Sequence, residues 1–310
     1  AMIGGRDFSG PESYAKVNLA VGTEGGGTGR QAGSSFKAFT LAEAMAQGMP
    51  LTKTYDAPSK LVIEGADGGK DWEVGNYADA GLGTLDVVQA TAKSSNTAYV
   101  QIMQDVGAAN VAALAERMGI RSPLNEDLSL TLGTADVSVL DMASAYSTLA
   151  DGGEHVEPFV VSKVTDAEGN VLYEHEETRE RILDEKAADS VNYALSQVVE
   201  GGTGTAARIS GQSVAGKTGT TDEYKDAWFA GFTCKLTTAV WMGYPDANPD
   251  GSAKLMKNVH GKSVTGGSFP TVIWPKYMAQ ATRGLDSSAF PPPASAPPTP
   301  PPPPPPPRTP

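Results

Sequence analysis

The stretch Arg30-Gln31-Ala32-Gly33-Ser34-Ser35-Phe36-Lys37-Ala38-Phe39-Thr40 puts a hydroxyl and an amine three residues apart where a helix should begin. Residues i and i+3 of a helix share a face, so Lys37 lies one turn from Ser34, within reach of its proton. The helix is expected because Ala38, Leu41, Ala42, Ala44 and Met45 supply an apolar face, while Gly48 and Pro50 supply a stop. Ser34, Lys37, Leu41 and Ala44 fall on one stripe, which sets two polar residues at the start of a face that is otherwise apolar. A lysine desolvated there loses proton affinity, as a general base near neutral pH must. The positive end of the helix also favours the charge that builds as a hydroxyl attacks. Ser34 is therefore the candidate nucleophile and Lys37 its base. Taken alone, the pair also fits a serine cap and a snorkelling surface lysine. Roughly one S-x-x-K is expected by chance in a chain of this length, so its meaning depends on what surrounds it.

On the N-terminal side, residues 17–29 are dense in glycine and read as a mobile approach to the helix; no G-x-x-x-x-G-K-[ST] spacing supports a phosphate loop. The chain opens with Ala1-Met2-Ile3-Gly4-Gly5-Arg6-Asp7-Phe8, which reads as half a strand entering a turn and suggests a fragment. On the C-terminal side, Lys60-Leu61-Val62-Ile63 reads as a short strand. Residues 65–83 form a Gly/Asp/Asn-rich loop region with Trp72, Asn76 and Tyr77, of the kind that lines a site.

Thr84 reads as the cap of a helix over 85–92. That helix breaks at Lys93-Ser94-Ser95-Asn96, and a second helical pattern over 97–106 precedes Gly107. Short polar side chains at such a break project into whatever it faces, so Ser94 and Asn96 are candidates for a proton relay and an amide contact. The commoner use of Ser and Asn there is to cap the second helix. Helical patterns follow over 108–118, 137–150 and 187–199. Strand-like residues 159–164 and 171–174 flank the turn signal Asp166-Ala167-Glu168-Gly169-Asn170 and form a hairpin. After the corner Gly201-Gly202-Thr203-Gly204, strands over 213–221, 226–233 and 236–244 form an antiparallel set, and a helix over 270–281 ends the folded part. The first of these strands carries Lys217-Thr218-Gly219-Thr220-Thr221. Its lysine supplies positive charge, its threonine hydroxyls suit a carboxylate, and Gly219 leaves room for a substrate backbone. An edge strand guarded by a lysine is the plainer alternative.

The chain has 310 residues, is 40% hydrophobic and can bury a large core. A net charge of -12 and a pI near 4.7 argue against nucleic acid or an anionic membrane as partner. The single Cys234 excludes an internal disulfide and leaves no cysteine cluster for zinc. His155, His175 and His260 read as ordinary surface or loop histidines. No run is long enough to span a bilayer, and no signal peptide opens the chain. Residues 291–310 are almost wholly proline with Ala, Ser and Thr, so the expected layout is one domain over 1–284 and a disordered Pro-rich tail over 285–310.

Together, S-x-x-K at Ser34, S-x-N at Ser94 and K-T-G at Lys217, in that order and on the expected elements, resemble the penicillin-recognising serine enzymes. The wider sequence is similar to the transpeptidase domain of class A, bifunctional penicillin-binding proteins, particularly actinobacterial ones. Tyr55-Asp56-Ala57-Pro58-Ser59-Lys60, Glu200-Gly201-Gly202-Thr203-Gly204-Thr205, Asp226-Ala227-Trp228-Phe229-Ala230-Gly231-Phe232-Thr233 and Val240-Trp241-Met242-Gly243-Tyr244-Pro245 extend the likeness. Ala32 departs from it, since the family usually has proline there.

The resemblance implies an α/β (α+β) fold: a mostly antiparallel sheet flanked by helices, an α-rich subdomain, and the three motifs lining a cleft. It implies a peptidoglycan D,D-transpeptidase in which Ser34 attacks the D-Ala-D-Ala bond of a stem peptide and Lys37 takes its proton. Ser94 and Lys217 then relay a proton to the leaving amine. Asn96 holds the acyl-side amide, Thr218 and Thr220 the terminal carboxylate, and the N–H groups of Ser34 and Thr220 the oxyanion. β-Lactams would acylate the same serine. No metal or organic cofactor is implied, and nucleic acid is not an expected partner. A membrane anchor and a glycosyltransferase domain would precede Ala1, placing the domain outside the cytoplasm. Variants of the same chemistry are a D,D-carboxypeptidase, a serine β-lactamase and a β-lactam or muropeptide sensor. The β-lactamase signature Glu-x-x-Leu-Asn is not met, because Arg121 stands where Leu124-Asn125 would need the glutamate.

Overall fold

The structure, a computed structural model, describes residues 1–5, 9–11 and 14–293. Its organising layer is an antiparallel sheet of β1 (Ala215–Thr220), β2 (Asp226–Phe232) and β3 (Thr237–Gly243), with β2 in the middle. Every residue of β2 is buried, because helices cover both faces of the sheet. Successive side chains of a strand point to opposite faces. Accordingly Trp228, Ala230 and Phe232 join a core with Phe39 and Tyr146, whereas Phe229 turns the other way and meets Trp274 edge-on at 5.3 Å. The helices are α1 (Lys37–Ala46), α2 (Val87–Lys93), α3 (Asn96–Val106), α4 (Ala108–Met118), α5 (Val139–Ala150), α6 (Glu185–Glu200) and α7 (Phe269–Ala281). α7 lies on the Phe229 face, and α5 supplies Tyr146 to the opposite one.

α3 and α4 are buried on one side with α1 and form the α-rich part of the molecule. All strand pairings among the described residues are antiparallel, as expected of this fold class.

Several local expectations change. The glycine-rich approach is a 3-10 helix, Leu19–Gly25, capped by Asn18. Lys60–Asp67 pairs with Lys70–Gly75, so half of the anticipated loop region is a hairpin. Thr84 caps nothing: Gly83–Asp86 is a strand paired with Thr54–Ala57, and Asp86 caps α2 through a capping box with Gln89. Two residues before α5, Val137 pairs with Arg30 in a short strand, and Ser138 caps the helix. The strand expected over 159–164 is confined to Lys163–Thr165, though its hairpin with Val171–Glu174 forms. Residues 1–5 carry no strand, and Arg6, Asp7 and Phe8 lie outside the described residues. His155 is half-buried and bonds Thr148 Oγ1 at 3.1 Å, unlike an ordinary surface histidine. At the other end, Phe290 packs edge-on against Phe232 at 5.5 Å, so core contacts run past Gly284; most of the expected tail, 294–310, lies outside the described residues.

Candidate active site

Ser34 lies in a 3-10 turn, Gly33–Phe36, that runs straight into α1 at Lys37. Three parts of the fold grip this turn. Trp228 Nε1 donates to Gln31 O at 2.8 Å, Tyr146 Oη to Ser35 O at 2.6 Å, and Gly33 N to Gly133 O at 3.2 Å. Beside it runs β1, so close that a Cβ on Gly219 would stand 2.3 Å from Ala32 O, and one on Gly33 would stand 2.8 Å from Thr220 O. The side of Gly219 on which a Cβ would stand is thus occupied by the Ser34 turn. Only backbones without a Cβ can approach this closely.

Lys37 and Lys217 are both fully buried, whereas Ser34, Ser94, Asn96 and Thr220 are half-exposed. Lys37 Nζ lies 3.0 Å from Ser34 Oγ, 2.8 Å from Ser94 O and 2.6 Å from Asn96 Oδ1. The last two are carbonyl oxygens and can only accept. A neutral amine with its two N–H groups on those oxygens turns its lone pair toward Ser34, which is the arrangement a base needs. Burial, and then the charge of Lys217, holds the Lys37 ammonium well below its usual pKa. Lys217 Nζ lies 2.7 Å from Ser94 Oγ, and burial lowers its pKa to about 7. Ser94 Oγ is also 3.4 Å from Lys37 Nζ, so it stands between the two amines. Among the described residues neither lysine forms an ion pair. No carboxylate therefore restores their proton affinity.

Ser94 closes α2 in the left-handed region, with φ 57°. The capping duty that sequence would assign to the Ser/Asn break falls on Ser95, whose Oγ accepts from Ala98 N. That leaves the Ser94 and Asn96 side chains free to face Lys37. β1 is an edge strand, as its plainer reading had it, yet its lysine is buried among site residues.

Thr221 N donates to Asp226 O, and antiparallel pairs alternate between bonded and non-bonded. The Thr220 N–H, one residue earlier, therefore points away from β2. Thr220 Oγ1 accepts from Gly266 N at 3.0 Å, which leaves its own hydrogen free to donate; Thr218 Oγ1 pairs with Thr203 Oγ1 at 2.7 Å. Sequence reading missed Gly266, Thr203 and the full use of Asn76, whose amide oxygen accepts from the backbone N–H groups of Asn96 and Thr97. Asn76 had only its place in a polar loop as a signal, and Gly266 had none.

The fold agrees with what the chain matches: it belongs to the penicillin-binding protein transpeptidase domain family, over residues 28–254. It is 34% identical over 283 residues to penicillin-binding protein 1A of Aquifex aeolicus, covering 91% of this chain and 36% of that protein. Among solved structures, the penicillin-binding protein PonA1 from Mycobacterium Tuberculosis is similar, with a TM-score of 0.81 and 31% identity over 98% of this chain and 79% of that one. The complex of PonA1 with penicillin V matches with a TM-score of 0.75 and 30% identity over 94% of this chain and 76% of that one. The chain spans about a third of the length of the curated relative it matches. No helix among the described residues is long and apolar enough to cross a membrane.

Proposed function

We propose that this domain is a serine D,D-transpeptidase of peptidoglycan, with Ser34 as nucleophile and Lys37 as its base. The observation that carries the reading is the uncompensated Lys37 amine, 3.0 Å from Ser34 Oγ, with its N–H groups directed to carbonyl oxygens. Neutral Lys37 takes the Ser34 proton as Oγ adds to the carbonyl between two terminal D-alanines of a stem peptide. The backbone N–H groups of Ser34 and Thr220 receive the oxyanion. As the tetrahedral adduct collapses, the proton reaches the leaving amine through Ser94 Oγ, which Lys217 holds at 2.7 Å. Asn96 Nδ2 spends one hydrogen on Gly75 O and keeps the other for the acyl-side amide. The Thr218 and Thr220 hydroxyls bind the terminal carboxylate, in the field of Lys217. An amine of a neighbouring stem peptide then displaces the enzyme from the ester.

β-Lactams mimic the donor and acylate Ser34, consistent with the penicillin V complex of PonA1. The full-length protein is proposed to carry an N-terminal glycosyltransferase domain and a membrane anchor, with this domain in the cell envelope outside the cytoplasm.

Intact-protein and peptide mass spectrometry after mixing with a labelled penicillin tests the reading. The expected result is one adduct, on the Ser34 peptide, absent in Ser34→Ala and persisting after free drug is removed. Labelling that survives in Ser34→Ala would refute the nucleophile. Loss of the adduct within seconds, with continued drug hydrolysis, would convert the reading to a β-lactamase. The long life is expected because the Glu-x-x-Leu-Asn signature that would supply a base for the water is not met, Arg121 standing at its glutamate position.

A further inference from the structure

The first N–H groups of a helix have no partner within it. In α3 the local cap, Ser95 Oγ, serves Ala98 N at 3.2 Å. The N–H groups of Asn96 and Thr97 instead reach Asn76 Oδ1, 20 and 21 residues away in sequence, at 2.8 and 3.2 Å. Ser95 Oγ donates to the same oxygen at 3.1 Å. At its other end, Asn76 Nδ2 faces Pro58 O at 2.9 Å, Ala80 O at 3.0 Å and Thr97 Oγ1 at 3.0 Å. The orientation of this amide is unambiguous, since backbone N–H groups cannot accept and backbone carbonyls cannot donate. Asn76 is 6% exposed, so water cannot substitute for any of these bonds.

The consequence reaches the lysine. Gly75 O, one residue before Asn76, accepts from Asn96 Nδ2 at 2.8 Å, which turns Asn96 Oδ1 onto Lys37 Nζ. On the upstream side of the break, Ser94 N and Ser95 N bond back to Thr91 O and Ala90 O of α2. On the downstream side, Asn76 holds the chain. Ser94 sits between these two anchors in a left-handed conformation that non-glycine residues rarely adopt. Its carbonyl and hydroxyl both face Lys37 because the chain is held on either side.

We infer that Asn76 is a positioning residue for acylation: by capping α3 from a separate loop, it holds Ser94 and Asn96 against Lys37 and so aims the lysine's lone pair at Ser34. Asn76 touches neither Ser34 nor Lys37 and acts through the residues it holds. The inference rests on the acyl-enzyme chemistry proposed above.

The test is the second-order rate constant for labelling by a fluorescent penicillin, measured across pH and normalised to the protein that can be labelled, with circular dichroism and Tm alongside. Asn76→Ala is expected to stay folded and to label about 10- to 100-fold more slowly per competent site, the usual consequence of misplacing reacting groups by up to an ångström. Asn76→Asp keeps the shape and the acceptor oxygens but adds a negative charge next to the Asn96 amide. It is expected to move the rising limb of rate against pH to higher pH, because that charge favours protonated Lys37. Asn76→Ala that is folded and labelled within twofold of wild type overturns the inference. So does a smaller labelled fraction at an unchanged rate, which marks a role in stability alone. If Asn76→Ala does not fold, Asn76→Asp decides, and an unmoved limb at the wild-type rate overturns the inference. Unlabelled wild-type protein instead overturns the acyl-enzyme reading itself, and this inference with it.

Discussion

Lys37 Nζ is closer to Asn96 Oδ1, at 2.6 Å, than to Ser34 Oγ, at 3.0 Å. A neutral amide can accept from the lysine without charging it, and this is what makes Asn, and not Asp, suitable there. Asn96→Asp would set a carboxylate against a buried amine and raise its pKa. Penicillin labelling at pH 7 should fall and its rising limb against pH should move to higher pH, because only the free amine accepts the Ser34 proton. The loss should shrink as pH rises. A rate profile that keeps its wild-type midpoint would contradict this account of Lys37.

Lys217 should make stability depend on pH. Its folded pKa, about 7, lies below its ordinary 10.5, so between those values the unfolded chain binds the extra proton. The stability it contributes is therefore complete above 10.5 and is lost as pH falls through 7, with a slope approaching about 1.4 kcal/mol per pH unit between them. Lys217→Met should remove that slope and raise Tm near pH 7, while abolishing labelling. Urea unfolding of both proteins at pH 7, 8 and 9 measures it, and parallel stability curves would refute it.

Gly219→Ala should damage fold and chemistry together. The new methyl would meet Ala32 O and Ser35 Oγ, both buried and at the turn that carries Ser34. Overpacking of this kind costs about 1–3 kcal/mol, and moving the turn takes Ser34 away from Lys37. A lower Tm with a labelling rate at least tenfold down is expected. Wild-type labelling in this variant would mean that the turn tolerates the displacement.

Phe290→Ala, or truncation after Ser288, should lower Tm by about 2–4 °C, since part of a phenylalanine is worth about 1–2 kcal/mol of burial. Truncation after Pro293 should leave Tm unchanged, because the remaining proline-rich residues have too little apolar surface to form a core. Equal melting curves for the truncations after Ser288 and Pro293 would show that the Phe290–Phe232 contact contributes nothing.

The elements that sequence reading placed well are those whose causes are local. α4 runs from Ala108 to Met118 as its apolar periodicity and following glycine require, and the three strands of the central sheet fall within two residues of their expected ends. The motifs at Ser34, Ser94 and Lys217 were also legible, because each is a short run of residue types that carry the chemistry. The sequence by itself thus determined the helices, the central strands, the family and the order of the candidate groups.

Tertiary structure decided which of those groups meet. That Ser95 and not Asn96 caps α3 locally, that Asn76 caps it from another loop, and that Gly219 makes room for the Ala32 backbone are all matters of where distant segments cross. Periodicity and capping preference act over a turn or two of chain. The partner of a buried polar group is set by whichever backbone is packed beside it, however far away it lies in sequence, since burial leaves such a group no water to bond instead.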